Sequence, residues 1–233
     1  MPEHRRPQVI LFDVNETLSD MTPMADRFAE VGAPAHLAAT WFAALLRDGI
    51  ALTAAGATAP MAEIGATLLR TQLAAQPLDR DLDAAVEHVM SGFTGLAVHP
   101  DVVEGVLALS ELGIRLATLS NGSADIARGL LERADIADRF ERLLSVDQAG
   151  TWKPAAGAYA YALAQCGVVA PDAMLVAVHP WDIDGAARAG LSTGWLNRKE
   201  EDYPGYFHPP AVEAASLPEL ARTLGSLRAV TNR

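Results

Sequence analysis

The sequence predicts an α/β fold, with a doubly wound parallel sheet and a helical cap inserted after the first strand. Short aliphatic runs, typical of strands buried on both faces, alternate with amphipathic helical stretches over much of the chain. Between about residues 20 and 98, helical patterns occur without a convincing strand. The length of 233 residues, half of them hydrophobic, suits one α/β domain with a sizeable insertion.

The elements of this fold can be placed in chain order. Five aliphatic runs are predicted as strands: residues 8–12, 114–120, 142–146, 173–178 and 192–196. Stretches with helical spacing are predicted as helices: residues 37–49, 61–75, 102–112, 124–134 and 155–167. The Ala-rich segment 51–60 is weakly patterned and is predicted to be a loop of the cap. We therefore expect a Rossmann-like core domain and a helical cap domain, with these bounds: residues 1–19 and 99–233, and residues 20–98.

Composition excludes several classes of protein. The net charge of −11 argues against a nucleic-acid partner, because phosphate backbones attract basic surfaces. The single cysteine, Cys166, excludes an internal disulfide and a Cys-rich zinc site, and its apolar helical surroundings predict that it is buried. No run approaches the roughly 20 apolar residues of a membrane span, and the N-terminus does not resemble a signal peptide. We expect a cytoplasmic protein without a membrane partner.

Polar residues follow four of the predicted strands. They are, in order, Asp13; Ser120 and Asn121; Lys153; and His179, Trp181, Asp182 and Asp184. In an open α/β sheet, ligands bind outside the carboxyl ends of the strands. One such residue would be weak evidence, since a strand-end Asp can equally cap a helix, but four groups in this order predict an active site.

The motifs FDVNETL, LSNGS, WKP and HPWDIDGA resemble the four ordered motifs of the haloacid dehalogenase superfamily of hydrolases, over essentially the whole chain. The resemblance implies that Asp13 is a nucleophile that forms an ester with the substrate. It also implies that the charged groups are held by the remaining motif residues: Thr17, Ser120, Asn121, Lys153 and Asp182. Independently, a lysine beside Asp13 would keep that carboxylate ionised. Alternatively, Lys153 and Asp182 form a buried ion pair without a catalytic role.

Asn15 separates this chain from the phosphatases of the superfamily. Those enzymes mostly carry a second Asp at this position for acid–base work, which an amide cannot perform. In the fourth motif, Asp182 matches the second of the two acids that hold Mg²⁺ in phosphatases, but Val178 stands in place of the first. A site with only Asp13 and Asp182 offers few oxygen ligands for a hard cation. We expect no metal and no cofactor.

The motif details resemble the (S)-2-haloacid dehalogenase branch, which needs no metal. The resemblance lies in LSNGS, in the spacing from Lys153 to Tyr159, in the Trp181-Asp182 pair and in WLNR at residues 195–198. It implies hydrolysis of short 2-haloalkanoic acids to 2-hydroxy acids through an Asp13 ester. Asp182 would orient or activate the water. Substrate contacts are then expected from Asn15, Thr17, Ser120, Asn121, Tyr159 and Trp181, although packing explains Tyr159 and Trp181 as well.

The chain departs from this branch at several positions. The branch usually has Tyr and Gly where Asn15 and Glu16 stand, and Ser and Asn where Ala177 and His179 stand. A cap arginine usually follows a tryptophan, but here Phe42 follows Trp41.

Arg47 is the nearest candidate to replace the cap arginine as a substrate ligand. Alternatively, it caps the C-terminal end of its helix before Gly49. Phe42 is a candidate to roof the active site, while most of the face formed by Trp41, Phe42, Leu45 and Leu46 is expected to be core or dimer surface.

His179 is the most informative departure. We expect it to take a catalytic part, either by donating a hydrogen bond to a departing halide or by acting as a base toward water. Alternatively, it only lines the pocket. Three functions remain open: a dehalogenase acting on a small halogenated carboxylate, a hydrolase of another small anion such as a magnesium-dependent phosphatase, and a non-catalytic binding protein. A homodimer is also left open.

Overall fold

The computed structural model describes residues 5–227. In that range a parallel sheet of six strands has the order β3-β2-β1-β4-β5-β6. The strands are β1 (Val9–Phe12), β2 (Arg115–Ser120), β3 (Phe140–Ser145), β4 (Ala173–Ala177), β5 (Ser192–Leu196) and β6 (Val212–Ala214). The five predicted strands and the fold class are confirmed. Strand β6 was missed, because three residues at a sheet edge are too few to carry a pattern.

Nine α-helices flank or cap the sheet within the described residues: α1 (Met24–Ala29), α2 (Leu37–Ala54), α3 (Met61–Leu73), α4 (Leu82–Thr94), α5 (Val102–Glu111), α6 (Ala124–Arg133), α7 (Ala156–Cys166), α8 (Pro180–Arg188) and α9 (Leu217–Gly225). The helices predicted from spacing are confirmed, but α1, α4, α8 and α9 were not predicted. The loop predicted for residues 51–60 is wrong at its start, because α2 continues to Ala54. Good helix formers continue there until Gly56, whose φ of 77° ends the turn.

Strand β1 lies at the centre of the sheet and is buried on both faces. Val9 and Leu11 belong to one apolar layer, and Ile10 and Phe12 belong to the other, as the two-residue period of a strand requires. The first layer continues into the cap, whereas the second is closed by α5 and α9. The carboxyl end of β1 is therefore the place where the chain leaves the core toward the cap. Cys166 is buried, as predicted.

Helices α1 to α4 occupy the interval assigned to the cap, although the domain boundaries stay a prediction. Trp41, Phe42 and Phe93 form an aromatic cluster there, with ring centroids 5.6–6.4 Å apart. Trp41, Phe42 and Leu45 are buried and Leu46 is partly buried, so this face of α2 belongs to the core.

The cap touches the core at Trp152. A Cβ on Gly49 of α2 would lie 2.3 Å from the Trp152 ring, so this close approach requires glycine. Thr53 Oγ1 accepts a hydrogen bond from the Trp152 backbone N–H at 3.0 Å. The C-terminal half of α2 therefore rests on the loop that carries Lys153.

Helix α2 corrects one expectation from the sequence. Its 18 residues have a mean hydropathy of 1.3, so by length and composition it is long and apolar enough to cross a membrane. The expectation that no segment approaches this limit overlooked it. A single helix of this kind is weak grounds for a membrane protein, because a core helix meets the same criterion.

Candidate active site

Asp13 lies directly after β1, at the carboxyl edge of the sheet. Its backbone N–H donates to the Val176 carbonyl at 3.0 Å, and only 3% of the residue is exposed. Asp13 Oδ2 accepts a hydrogen bond of 2.6 Å from Thr17 Oγ1, and Oδ1 accepts one of 2.8 Å from Lys153 Nζ. Thr17 Oγ1 in turn accepts from the Val178 N–H at 3.1 Å. The carboxylate is thus desolvated and held in one orientation, as a carboxylate nucleophile requires.

Lys153 is fully buried between two carboxylates. Its Nζ lies 2.8 Å from Asp13 Oδ1 and 2.6 Å from Asp182 Oδ2. The Asn121 side chain holds the lysine's backbone, because its Oδ1 accepts from the Lys153 N–H at 2.9 Å and its Nδ2 donates to the Lys153 carbonyl at 3.4 Å. These contacts make Asn121 a support of the Lys153 loop, and its predicted contact with substrate stays a prediction.

Asp182 lies in the first turn of α8 and is fully buried. Its Oδ1 accepts a hydrogen bond of 2.6 Å from the Tyr159 hydroxyl, while its Oδ2 faces Lys153. Tyr159 is itself fully buried, and its hydroxyl also lies 3.2 Å from the Asp182 carbonyl. The structure therefore places the Tyr159 hydroxyl on Asp182, where it orients that carboxylate, and a contact of Tyr159 with substrate stays a prediction.

The charges of this buried cluster shift its pKa values in different directions. Burial alone would raise the pKa of Asp13, but the Lys153 charge and the contacts with His179 outweigh it and hold that pKa well below its ordinary value. Burial would lower the pKa of Lys153, but the two carboxylates raise it. Burial raises the pKa of Asp182 despite Lys153, and the Asp13 charge adds to this effect. Asp13 is accordingly the group held as an anion.

His179 bridges Asp13 to a third carboxylate. Its Nδ1 lies 3.2 Å from Asp13 Oδ2 and its Nε2 lies 2.8 Å from Glu16 Oε2. The Trp181 ring lies against it with centroids 5.0 Å apart, a distance suited to a cation–π contact. Burial opposes protonation of the imidazole, but the hydrogen bonds with Asp13 and Glu16 outweigh it and raise the pKa of His179 to about 9. The sequence had singled out His179 but had not paired it with Glu16.

This raised pKa predicts a pH-dependent contribution to stability. The imidazolium stabilises the fold fully below its unfolded pKa of about 6.5, and the contribution is lost as the pH rises through 9. Relative to His179→Gln, the wild-type protein should therefore lose at most about 3 kcal/mol of unfolding free energy over that interval. Urea unfolding at pH 6.5 and pH 9.5 measures the difference. A difference between the two proteins that stays constant with pH would contradict the charged pair.

The cap side of the site is formed by Asn15, Ser120 and Met61. Asn15 Nδ2 lies 3.5 Å from Met61 Sδ, and Ser120 Oγ accepts from the Gly122 N–H at 2.9 Å. A Cβ on Gly122 would lie 3.3 Å from both Met61 Sδ and Ser120 Oγ. No motif in the sequence selects Met61, which lies 46 positions from Asn15 and reaches it only through the packing of α3.

A mostly apolar cavity of about 60 Å³ adjoins Met61, between the cap and the core. Its walls are Trp41, Leu45, Pro60, Met61, Ala62, Met90, Phe93, Thr94, Ser123, Ile126 and Asp147. It offers space beside Asn15 for a small apolar group.

Two predicted site residues lie elsewhere. The Arg47 side chain is 68% exposed and its Nε donates to Asp48 Oδ1 at 2.8 Å, so it neither reaches the site nor caps the helix, which continues past it. The capping interpretation was based on a helix ending near Gly49, whereas α2 continues to Ala54. Phe42 is buried in the cap among Trp41 and Phe93 and does not line the cavity.

The carboxylate oxygens of this site do not fit a magnesium ion. Each oxygen of Asp13 and Asp182 already faces a hydrogen-bond donor, which is Lys153, Thr17, His179 or Tyr159. Val178 contributes only a backbone N–H at the position of the missing acid. Within residues 5–227, no group of three or more His, Cys, Asp or Glu side chains is arranged to hold a metal.

A model of the haloacid dehalogenase-like hydrolase family matches residues 7–190. The chain belongs to this family. Haloacetate dehalogenase H-2 of Moraxella sp. (strain B) is 28% identical over 83% of the chain and 87% of its own length. The (S)-2-haloacid dehalogenase of Pseudomonas sp. (strain YL) is 31% identical, with 60% of this chain and 61% of that protein aligned. A crystal structure of a dehalogenase with an intermediate complex has 26% identity and a TM-score of 0.88, and the match covers 96% of this chain and 99% of that one.

The resemblance inferred from the motifs is thereby confirmed. The haloacid dehalogenase-like core of this chain carries Asp13, Lys153 and Asp182 in contact, as the motif order predicts. The roles of the individual side chains remain predictions.

Proposed function

We propose that this hydrolase is a dehalogenase that converts short 2-haloalkanoic acids to 2-hydroxy acids through an ester on Asp13. The observation that carries the proposal is the buried Asp13 carboxylate, oriented by Thr17 and Lys153, with the amide of Asn15 where acid–base work would need a carboxyl group. A halide that leaves carbon needs no protonation, so the displacement step does not require a general acid at position 15. The relatives named as haloacid and haloacetate dehalogenases support the same chemistry.

The first step is a displacement at C2. An Asp13 oxygen forms a bond to C2, the carbon–halogen bond breaks, and the halide leaves with its electron pair from the opposite side. Lys153 keeps Asp13 ionised and, through Asp182 and Tyr159, keeps it in place. Such alignment of nucleophile and electrophile supplies much of the rate enhancement in reactions of this kind.

The second step is hydrolysis of the ester. Water adds to the Asp13 carbonyl carbon, and the bond between that carbon and the ester oxygen breaks to release the 2-hydroxy acid. Lys153 faces Oδ1 of Asp13, so its ammonium stabilises negative charge on this oxygen in the tetrahedral intermediate. The Ser120 hydroxyl and the Asn15 amide are the neutral groups on the cap side for the substrate carboxylate.

Halide release from chloroacetate, fluoroacetate and 2-chloropropionate tests the proposal. Wild-type protein should form one hydroxy acid for each halide released, glycolate from the haloacetates and lactate from 2-chloropropionate. A protein that releases halide from none of these acids, but hydrolyses phosphate esters in magnesium, would instead be a phosphatase. A protein with neither activity would be a binding protein.

Removal of divalent cations should leave halide release unchanged, within about twofold. Nothing in the donor set of Asp13 and Asp182 is free for a cation, because Lys153 supplies the positive charge between them. The comparison is steady-state turnover of 2-chloropropionate with and without a chelator, after dialysis against it. Loss of activity that magnesium restores would contradict the metal-free site.

A cytoplasmic location and a homodimer are also proposals. The first carries over the expectation drawn from the sequence. The second is tested by the mass of the protein in solution, and a monomer at micromolar concentration would reject it.

A further inference from the structure

Glu16 and His179 form a pair that the displacement step does not use. Both ring nitrogens of His179 face carboxylates, Nδ1 toward Asp13 at 3.2 Å and Nε2 toward Glu16 at 2.8 Å. A ring placed between two carboxylates is a cation that donates both of its N–H groups. His179 therefore has no N–H left for a departing halide or a substrate carboxylate while Asp13 is a free anion.

The backbone of Glu16 is held in an unusual conformation. Its φ is 61°, in the left-handed region that glycine adopts at no steric cost. The His99 ring binds its carbonyl through Nε2 at 2.9 Å, and its N–H donates to Ser19 Oγ at 3.3 Å. Glycine would adopt this conformation without the strain that a side chain causes, so a glutamate at this position indicates a use for its carboxylate.

We propose that Glu16 is a positioning residue for His179, and that the two form the proton relay for hydrolysis of the Asp13 ester. This inference rests on the proposed dehalogenase function and names the group that accepts the proton from water. Of the groups around Asp13, Asp182 is fully buried and each of its oxygens already accepts a hydrogen bond. The His179 side chain, by contrast, is 12% exposed and contacts the Asp13 carboxylate.

Formation of the ester converts His179 from a cation to a base. The ester has no charge, so His179 loses the anion that held its Nδ1 proton, and the proton passes to water as the halide leaves. Glu16 keeps the other proton on Nε2. The neutral tautomer that results has its lone pair on Nδ1, directed at the Asp13 carboxyl group. The Asp13 contacts are among the main causes of the raised His179 pKa, which agrees with this order of events.

The protons balance over the cycle. As water oxygen bonds to the Asp13 carbonyl carbon, one water proton moves to Nδ1. The ester carbon–oxygen bond then breaks, its electron pair stays on the substrate oxygen, and that oxygen takes the proton from Nδ1. Asp13 is left as a carboxylic acid, which returns its proton to Nδ1 and restores the ion pair. One halide, one proton and one hydroxy acid leave for each water consumed.

Glu16→Gln tests the relay, because glutamine keeps the size and removes the charge. With chloroacetate, this variant should release about one halide per protein in a rapid first phase and then turn over roughly 10²-fold more slowly than wild type. Intact-protein mass should show a carboxymethyl adduct on Asp13 during steady state. His179→Gln should accumulate the same adduct.

Glu200 supplies the matched control. It is an exposed glutamate that also has a positive φ, 53°, so Glu200→Gln and Glu200→Gly repeat both changes away from the site. Neither should change turnover. If Glu16→Gln folds poorly, Glu16→Gly removes the same carboxylate and also relieves the strain, so it should be at least as stable as wild type and still accumulate adduct.

The outcomes separate the relay from the dehalogenase activity. Turnover of both Glu16 variants at the wild-type rate, or slow turnover without adduct, would overturn the relay and leave the proposed function standing. Absence of halide release from the wild-type protein would overturn both.

Discussion

Asp13→Asn should reduce halide release by at least about 10⁴-fold, the scale on which loss of a nucleophile acts in hydrolases. The amide keeps the shape of the side chain but is not a nucleophile at neutral pH. It also removes the charge that Lys153 and His179 both face, so the remaining groups have no anion to activate. Asp138→Asn is the control, since Asp138 is an exposed carboxylate that comes just before β3, at the edge of the sheet opposite to the site. Ion chromatography of halide measures both variants.

A single turnover of wild-type protein in water enriched in ¹⁸O adds a direct test. Attack of water on the ester carbonyl should leave one heavy oxygen on Asp13 and none in the first hydroxy acid released. Heavy oxygen in the first product, together with an active Asp13→Asn variant, would mean that water displaces the halide directly. Asp13 would then be a base and not a nucleophile.

The sequence predicted the parts of this site that depend on strand order. Asp13 and Lys153 are 140 positions apart, yet both follow strands of one parallel sheet, so their proximity follows from the topology. Aliphatic runs mark such strands clearly because both faces of the sheet are covered. The order of the motifs predicted in the same way that Asp182 belongs to this site.

The parts that depend on side-chain direction could not be predicted. Tyr159 was placed on the right helix, but whether its hydroxyl faces substrate or Asp182 depends on how α7 and α8 pack. The Glu16–His179 contact depends on a left-handed φ at Glu16, which a sequence containing glutamate does not indicate. The capping interpretation of Arg47 failed because it took Gly49 as the end of the helix. Helix ends in Ala-rich sequence are poorly marked, and α2 is five residues longer than predicted.

Lys153→Met should reduce both turnover and stability. Methionine fills much of the space of the lysine stem, so the main loss is the ammonium that two buried carboxylates share. Removing one partner of a buried ion pair costs about 3–5 kcal/mol, because the remaining charge has no compensation. Lys199→Met is the matched control: Lys199, the other lysine in the chain, is exposed and should tolerate the change.

The pH dependence of that loss identifies its cause. In wild-type protein the depressed pKa of Asp13 adds stability that is present above the unfolded pKa near 3.9 and lost as the pH falls. Without Lys153 the buried carboxyl groups must bind a proton, so their folded pKa values rise and the variant loses stability as the pH rises. The gap between the two proteins should therefore widen from pH 4.5 to pH 8 in urea unfolding. A gap of equal size at both pH values would show that Lys153 supports the fold by its packing alone, and that the charge on Asp13 is maintained by His179.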